Sequence, residues 1–527
     1  MKYKNDVQRA GRNHVGDWIG ISARKWPEKT AIIFEEKRIS YKEVDQKANC
    51  IANAMLNLGI KKGDIVSVLS HNCPEYVYLI WGAAKIGAIF SPLNFGATPP
   101  EIVAQISDNE AKIFFVEDSL VQNVVGIKDR LDSVEKFVVI PLKNDEVPEG
   151  WINLDELYAA PDNEPESEHT GEDPIALLYT SGTTGGMKGC LFTSNNIFAV
   201  WQNTTAADGW SVSHEDVALV PAPLFTSTGY FLLVVAPFKT GATYVMQYVP
   251  DPAGILELIE KEKCTWVGFP PTLWIALLFF MTREYNFTSV KKAVWFGDAM
   301  NLEVLKKWWE MLPEDVLWSP GCSATETGVS GFSYWSREFP LSGAVIGKVH
   351  PNAEVRLVDE DYNDVGVGEP GECIMRGPAI MKGYYKRDDI NKEAFRNGWF
   401  KTGDIMTLNK DGLYYFFDRS KDMIKTGGLN VSCKEVEETL NEHPEVQSSA
   451  VFGAPHDYWI EGVVAAVIKK SDGLTEQQLV DFCTPKLAKF KIPKKIVFLS
   501  ELPINQFGKV LKRELREEFK DVFKNES

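Results

Sequence analysis

No stretch of this sequence is apolar for long enough to cross a bilayer. The most apolar run, Trp266 to Met281, is interrupted by Pro270 and Pro271 and is shorter than the ~20 residues a spanning helix needs, so it is expected to be buried core or pocket wall. Between Met1 and Trp18 the chain mixes Lys, Asp, Arg, Asn and His, with no apolar run after its positive charges; no secretory leader is expected. Paired cysteines are missing too. Cys50, Cys73, Cys190, Cys264, Cys322, Cys373, Cys433 and Cys483 form no C-x-x-C pair and have no histidine pattern beside them, which leaves metal and redox roles unsupported and suggests free thiols in a reducing cytoplasm. Positive charge is in short supply: the net charge is -17, which repels nucleic acid and anionic membranes at long range and makes neither a natural partner. Low-complexity segments and internal repeats are absent as well, so disordered and solenoid architectures are not expected.

What is present is the composition of a globular enzyme, 44% hydrophobic and 24% charged over 527 residues. That length exceeds one compact core, and at least two domains are expected. Near the N-terminus Ser40 and Glu43 form an S-x-x-E capping box, followed by Val44, Ala48, Ile51, Ala52 and Met55 at helical spacing and by Gly59 as a stop. After the turn at Lys62-Gly63-Asp64, Ile65 to Leu69 reads as a strand. Pro74 then opens a helix towards Gly87, before the apolar Ala88-Ile89-Phe90. Strand and helix alternate, which favours a layered α/β architecture. A Pro- and acid-rich stretch, Pro161 to Pro174, reads as an exposed linker rather than a domain boundary, ahead of the strand Ile175 to Tyr179. A boundary is expected around Asp418 to Asp422, with a small C-terminal domain after it.

The strand runs into Thr180-Ser181-Gly182-Thr183-Thr184-Gly185-Gly186-Met187-Lys188-Gly189. Glycines let backbone N–H groups approach phosphate oxygens, hydroxyls add donors and the lysine adds charge, so this loop suits a polyphosphate. It is not the P-loop of the NTPases, because Lys188 follows Met187 and precedes Gly189, where that motif requires Gly and then Ser or Thr. Ser323-Ala324-Thr325-Glu326-Thr327-Gly328 sets a hydroxyl beside a carboxylate, a pair suited to a phosphate oxygen and its magnesium ion. Lys401-Thr402-Gly403-Asp404 offers a carboxylate at a turn, fit for ribose hydroxyls. Asp418 to Gly428 gathers charges before paired glycines, and Lys509 follows Gly508 near the C-terminus. Each of these alone is most often an ordinary turn. The cluster Lys486, Lys489, Lys491, Lys494 and Lys495 reads alone as a solvated face, and beside these motifs as a patch for the phosphates of a nucleotide-bearing thiol.

In this order and spacing the segments resemble the adenylate-forming superfamily of acyl- and aryl-CoA ligases, peptide-synthetase adenylation domains and luciferases, over nearly the whole chain from Tyr41 to Lys512. The resemblance implies a large N-terminal, multi-subdomain α/β domain, residues 1–418, and a small mobile α+β domain, residues 419–527, that rotates about a hinge matching Lys421. It implies an acid–thiol ligase of the AMP-forming kind, with ATP, Mg2+ and coenzyme A as cofactors and a small carboxylic acid as substrate. Thr180, Ser181, Gly182, Thr183, Thr184, Gly185 and Lys188 would hold the phosphates, Thr325 and Glu326 the phosphate and magnesium, Asp404 the ribose, and Arg419 the nucleotide. Lys509 would serve acyl-AMP formation; Lys425, Gly427 and Gly428 would serve thioester formation.

The chain also departs from that pattern. Met187 replaces the usual Pro; Thr193-Ser194 stands for the usual Thr-His; Phe225-Thr226 stands for an aromatic-His pair; and Cys322-Ser323 stands where Tyr-Gly supplies an aromatic platform for adenine. The acid pocket would be lined by Phe225, Thr226, Trp295, Phe296, Gly297, Asp298, Ser323 and Ser330. Trp295 and Phe296 favour a bulky apolar or aromatic acid if they face the pocket, and are plain core if they do not. A non-CoA acceptor, such as a carrier protein, is the alternative, with a non-catalytic binding protein behind it; the intact Lys425-Thr426-Gly427-Gly428 favours CoA.

Overall fold

The computed structural model describes residues 11–143, 146–166, 168–180, 187–206, 210–297, 300–322, 324–329, 331–338, 344–419, 422–426, 429–456, 459–504 and 510–524. Its packing divides into two units: Met1–Val355 with Met375–Phe400, and Arg356–Ile374 with Lys401–Ser527. Packing thus groups residues 356–374 and 401–418 with the C-terminal part, whereas the sequence-based expectation divides the chain at 418/419. The architecture is mixed α/β, with a large N-terminal unit and a smaller C-terminal one, as the sequence suggested.

Two sheets build the first unit. One runs in the order Gly383–Tyr384, Lys188–Thr193, Pro174–Thr180, Ile89–Leu93, Ile65–Leu69, Ile113–Glu117, Lys136–Ile140, Ile152–Asn153. Its centre is parallel, with Val66 opposite both Phe90 and Ile113. Every residue of Ile65–Leu69, Ile89–Leu93 and Ile113–Glu117 is buried, as expected of parallel strands covered on both faces. In the other sheet Lys292–Phe296 runs parallel between Trp266–Phe269 and Leu317–Cys322, and Val217–Leu219, Thr243–Met246 and Thr30–Phe34 extend the parallel run.

Local sequence sets these elements. The helix Tyr41–Asn57 starts at Ser40, whose hydroxyl accepts the Glu43 N–H at 3.2 Å while the Glu43 carboxylate accepts the Ser40 N–H at 2.7 Å. Two of the otherwise unpaired first-turn donors are thereby satisfied. The helix Pro74–Ile86 ends at Gly87 with φ of +68°, where a Cβ would come within 2.4 Å of the buried His169 ring; glycine alone fits both demands. Pro161 to Pro174 lies inside this unit and is mostly exposed, but it is fastened down. Asn49 and Asn53 on the helix donate to the carbonyls of Asp162, Pro161 and Asn163 at 2.8–2.9 Å. The run Trp266 to Met281 divides at its prolines into the buried strand Trp266–Phe269 and the helix Pro271–Phe280. The core reading holds for the strand and fails at the helix end, where Phe279 is 81% exposed.

In the second unit, antiparallel pairing sets Asp404 opposite Arg419. A five-stranded sheet pairs Val446–His456 with Ile460–Lys469, flanked by Ile424–Thr426, Leu429–Val431 and Lys495–Phe498. The helix Cys433–Asn441 packs Val436 and Leu440 onto it, against Val451, Val463 and Val467. Its first turn is capped by the Ser432 hydroxyl, 3.2 Å from the Glu435 N–H.

Candidate active site

The glycine- and hydroxyl-rich loop leaves one strand and returns in its antiparallel neighbour. Thr180 and Lys188 sit opposite each other, at the end of Pro174–Thr180 and the start of Lys188–Thr193. Ser181, Gly182, Thr183, Thr184 and Gly185 lie outside the described residues. The element after the loop is the strand Lys188–Thr193, not the helix that follows a P-loop, and Lys188 is the cation this segment itself offers. Gly189 packs closely under its neighbours: a Cβ there would be 2.7 Å from the Leu177 side chain and 3.1 Å from the Tyr179 ring, so these would have to shift. Tyr179 in turn donates its hydroxyl to Asp108 at 2.6 Å.

Around Lys188 the fold assembles a group of side chains remote in sequence. The Lys188 ammonium stands over the Tyr384 ring at 5.3 Å, and the Tyr384 hydroxyl donates to Glu326 Oε1 at 2.9 Å. Tyr384 arrives by antiparallel pairing with Cys190. Burial, and then the Glu326 carboxylate, push its phenol far above the usual range, so it stays protonated and donates. Thr325 and Glu326 sit on a single 3-10 turn after Leu317–Cys322. That turn ends at Gly328 with φ of +61°, where a Cβ would meet Val200 at 2.5 Å. The Thr325 hydroxyl lies 2.9 Å from that of Ser227, which joins this turn to the segment Pro223 to Gly229.

Magnesium fits this group by its donor chemistry. The ion takes one or two carboxylates and keeps the rest of its shell for water and substrate phosphates. Glu326 has one oxygen fixed by Tyr384, and its Oε2 has no hydrogen bond among the described residues. No group of three acidic, His or Cys ligands occurs among the described residues, so a site built wholly of protein ligands is not what this turn offers.

The expected acid-pocket residues fare unevenly. Phe225 meets Phe95 edge-on at 5.5 Å. The Thr226 hydroxyl is engaged within its own turn, donating to the Pro223 carbonyl at 2.7 Å and accepting the Gly229 N–H at 3.0 Å; it opens a helical turn where the pattern has a histidine. Trp295 and Phe296 are successive strand residues and face opposite sides. Trp295 is sealed in the core at 2% exposure, whereas Phe296 is partly exposed, which leaves Phe296 as the pocket candidate of the two. Gly297 follows with φ of +91°. Asp298, Ser323 and Ser330 lie outside the described residues. At the Thr-Ser departure, Thr193 caps the helix Ser194–Thr205 and Ser194 is buried, which is a structural use.

Within the second unit, Asp404 and Arg419 face each other and pair at 2.8 Å. Asp404 is 5% exposed, and its backbone N–H is held by the Thr402 hydroxyl at 3.1 Å. Lys425 projects from Ile424–Thr426, is well exposed and lies 3.3 Å from Glu360. Gly427 and Gly428 fall between the paired Thr426 and Leu429, outside the described residues, as do Lys421 and Lys509. The segment bearing Lys509 leaves and returns at the Ile504–Val510 bridge, and the Leu511 N–H donates to the Pro503 carbonyl at 2.8 Å. In the lysine cluster Lys486 pairs with Glu442 at 2.5 Å and Lys491 with Glu435 at 2.6 Å; part of its charge is already neutralised. Sequence reasoning missed Tyr384 and Ser227. The only available signal for Ser227 was its place in Pro223 to Gly229, and Tyr384 had none, because only strand pairing brings it near Glu326.

Residues 21–385 match the sequence profile of the AMP-binding enzyme family, and residues 435–509 that of the AMP-binding enzyme C-terminal domain. A feruloyl-CoA synthase of an Amycolatopsis species is 29% identical, over 96% of this chain and 99% of its own. A long-chain-fatty-acid–CoA ligase of Mycobacterium tuberculosis is 30% identical, over 92% and 93%. Among solved structures, an anthranilate CoA ligase in complex with anthranoyl-AMP superimposes with a TM-score of 0.87 at 27% identity, covering 97% of this chain and 98% of its own. With the phosphate-loop strands, the Thr325–Glu326 turn and the Asp404–Arg419 pair all in place, this chain belongs to the AMP-binding enzyme family, in its AMP-forming acid–thiol ligase branch.

Proposed function

We propose that this ligase activates a bulky apolar or aromatic carboxylic acid, forming its acyl-adenylate from ATP and passing the acyl group to coenzyme A. The observation that carries the reading is the Lys188–Tyr384–Glu326–Thr325 group beside the segment of Phe225 and Ser227. It supplies a cation, a fixed carboxylate and hydroxyl donors next to an aromatic wall.

A carboxylate is a poor electrophile and must first trade an oxygen for a better leaving group. Its anion attacks the α-phosphate of ATP as pyrophosphate departs, so the catalytic task is positioning and charge neutralisation. In this reading Lys188 and the loop Thr180 to Gly185 hold the phosphates, and Thr325 orients a phosphate oxygen. Glu326, set by Tyr384, would hold magnesium, which supplies further neutralisation. Asp404 takes the ribose hydroxyls and Arg419 keeps that carboxylate oriented. Lys509 bridges the attacking carboxylate and the α-phosphate. Rotation of residues 419–527 about Lys421 then exchanges Lys509 for the face of Lys425, Gly427 and Gly428, where the thiol attacks the adenylate and AMP leaves. Phe225 and Phe296 favour an apolar acid. The free, buried Cys50, Cys73, Cys190, Cys264, Cys373, Cys433 and Cys483 fit a reducing cytoplasm, and no helix among the described residues is long and apolar enough to cross a membrane.

The test is AMP formation with ATP and Mg2+ over a panel of aliphatic and aryl acids, with and without CoA. Turnover that needs CoA and favours bulky apolar or aromatic acids is expected. Equal turnover without CoA, or preference for short polar acids, contradicts the reading.

A further inference from the structure

In open α/β sheets ligands bind beyond the carboxyl ends of parallel strands. Here two parallel sheets deliver such ends to one place. Ile65–Leu69 runs into Ser70, His71 and Asn72; Ile113–Glu117 ends on Glu117; Ile89–Leu93 leads to Phe95; and Thr243–Met246 leads to Tyr248. The His71 ring is stacked between Phe95 at 4.3 Å and Tyr248 at 4.5 Å. Phe95 is the same ring that meets Phe225. A second link runs through Asn72, which donates to the Ala222 carbonyl at 3.0 Å and accepts the Leu224 N–H at 2.8 Å. His71 is thus joined to the acid-pocket segment through both a ring contact and the chain neighbour that holds that segment's backbone.

The imidazole is oriented from behind. Glu117 is fully buried and accepts from the Ser70 and Ser119 hydroxyls, the His71 backbone N–H and the Tyr248 hydroxyl. Burial alone would raise its pKa, but the hydrogen bonds from His71, Ser119 and Tyr248 outweigh that and hold it at about 2. An ionised carboxylate can only accept, so His71 Nδ1, 3.0 Å away, carries the proton. With Nδ1 committed and both faces stacked, the ring offers its Nε2 edge. That nitrogen has no partner among the described residues, and the side chain keeps 16% exposure. In the neutral ring Nε2 is an acceptor. It suits a donor group, and the stacked aromatic surround suits a flat apolar one.

We propose that His71 is a specificity-determining residue: its Nε2 accepts a hydrogen bond from a hydroxyl at the end of the acid remote from the carboxyl. The proposal rests on the ligase reading and narrows its substrate to hydroxyl-bearing, chiefly aromatic, acids. Sites built to pair a substrate hydroxyl discriminate against the analogue that lacks it, and the partial exposure of His71 puts the expected ratio at the modest end.

The experiment compares a 4-hydroxyaryl acid with its des-hydroxy analogue, by kcat/KM and by calorimetric binding without CoA. It uses the wild-type chain, H71F, H71Q and E117Q. Wild type should favour the hydroxy acid by about tenfold or more. H71F should bring the ratio close to one, while H71Q, whose amide oxygen still accepts, should retain part of it. E117Q, which releases the fixed tautomer, should narrow it as well. A wild-type ratio near one, or a parallel loss on both acids in H71F and H71Q with the ratio unchanged, overturns the proposal. Absence of turnover on every acid would count against the ligase reading, and the calorimetric ratio would still decide the role of His71.

Discussion

Tyr384 shows how much one side chain can settle. Its ring lies under the Lys188 ammonium and its hydroxyl donates to Glu326, so it touches both a cation and an anion of the proposed phosphate site. Tyr384→Phe keeps the ring and deletes only the hydrogen bond. A hydrogen bond to a charged group contributes about 1.5–3 kcal/mol to stability, which lowers Tm by only a few degrees in a chain this long; with Glu326 no longer oriented, kcat/KM for adenylation should fall by about tenfold or more. Initial rates and a melting curve on the same preparation check this; unchanged kinetics would mean that Glu326 needs no fixing. Trp295 illustrates the opposite case. A bulky residue expected to line the pocket is sealed in the core, because alternation along a strand gives only one of two neighbours to each face.

At the level of elements, what was legible in the sequence was what is local. The capping box at Ser40 and Glu43, Pro74 at a helix start, Gly87 at its end and the strand Ile65–Leu69 all appear where the sequence put them, because backbone donors and φ demands are met within a few residues. The site was legible as motifs and not as geometry. Lys188, Glu326 and Asp404 stand in recognisable strings, yet the pairing of Tyr384 with Cys190, and the meeting of His71 with Glu117 through parallel strands, have no local signature. The segment Pro161 to Pro174 is the mostly exposed stretch inside one unit that its composition suggests, but its anchoring was not legible. Its composition is that of a free linker, and its fastening comes from two asparagines of the helix Tyr41–Asn57.

The whole molecule carries a pH dependence of stability in its buried histidines. His14, His169 and His350 are buried, and desolvation holds each below its ordinary pKa, His350 at about 4. The unfolded chain therefore binds protons at these sites before the folded one does. Stability from this source is complete above about pH 6.5 and is lost as pH falls from there through the folded-state values, with His350 accounting for up to about 3 kcal/mol. Glu117, whose folded pKa is depressed, stabilises above about pH 4.5 and adds no slope in the upper part of that window. Urea midpoints at pH 7.5 and pH 5.0 should show the fall, and His350→Gln should flatten it. A flat profile in the wild-type chain would contradict the burial argument.

The central claim, one chain performing two half-reactions with different lysines, is tested most directly by separating them in Lys509→Ala. Acyl-adenylate formation from ATP and acid should drop on the order of 100-fold or more, while thioester formation from supplied acyl-adenylate and CoA should stay close to wild type. Equal loss of both half-reactions would contradict the account.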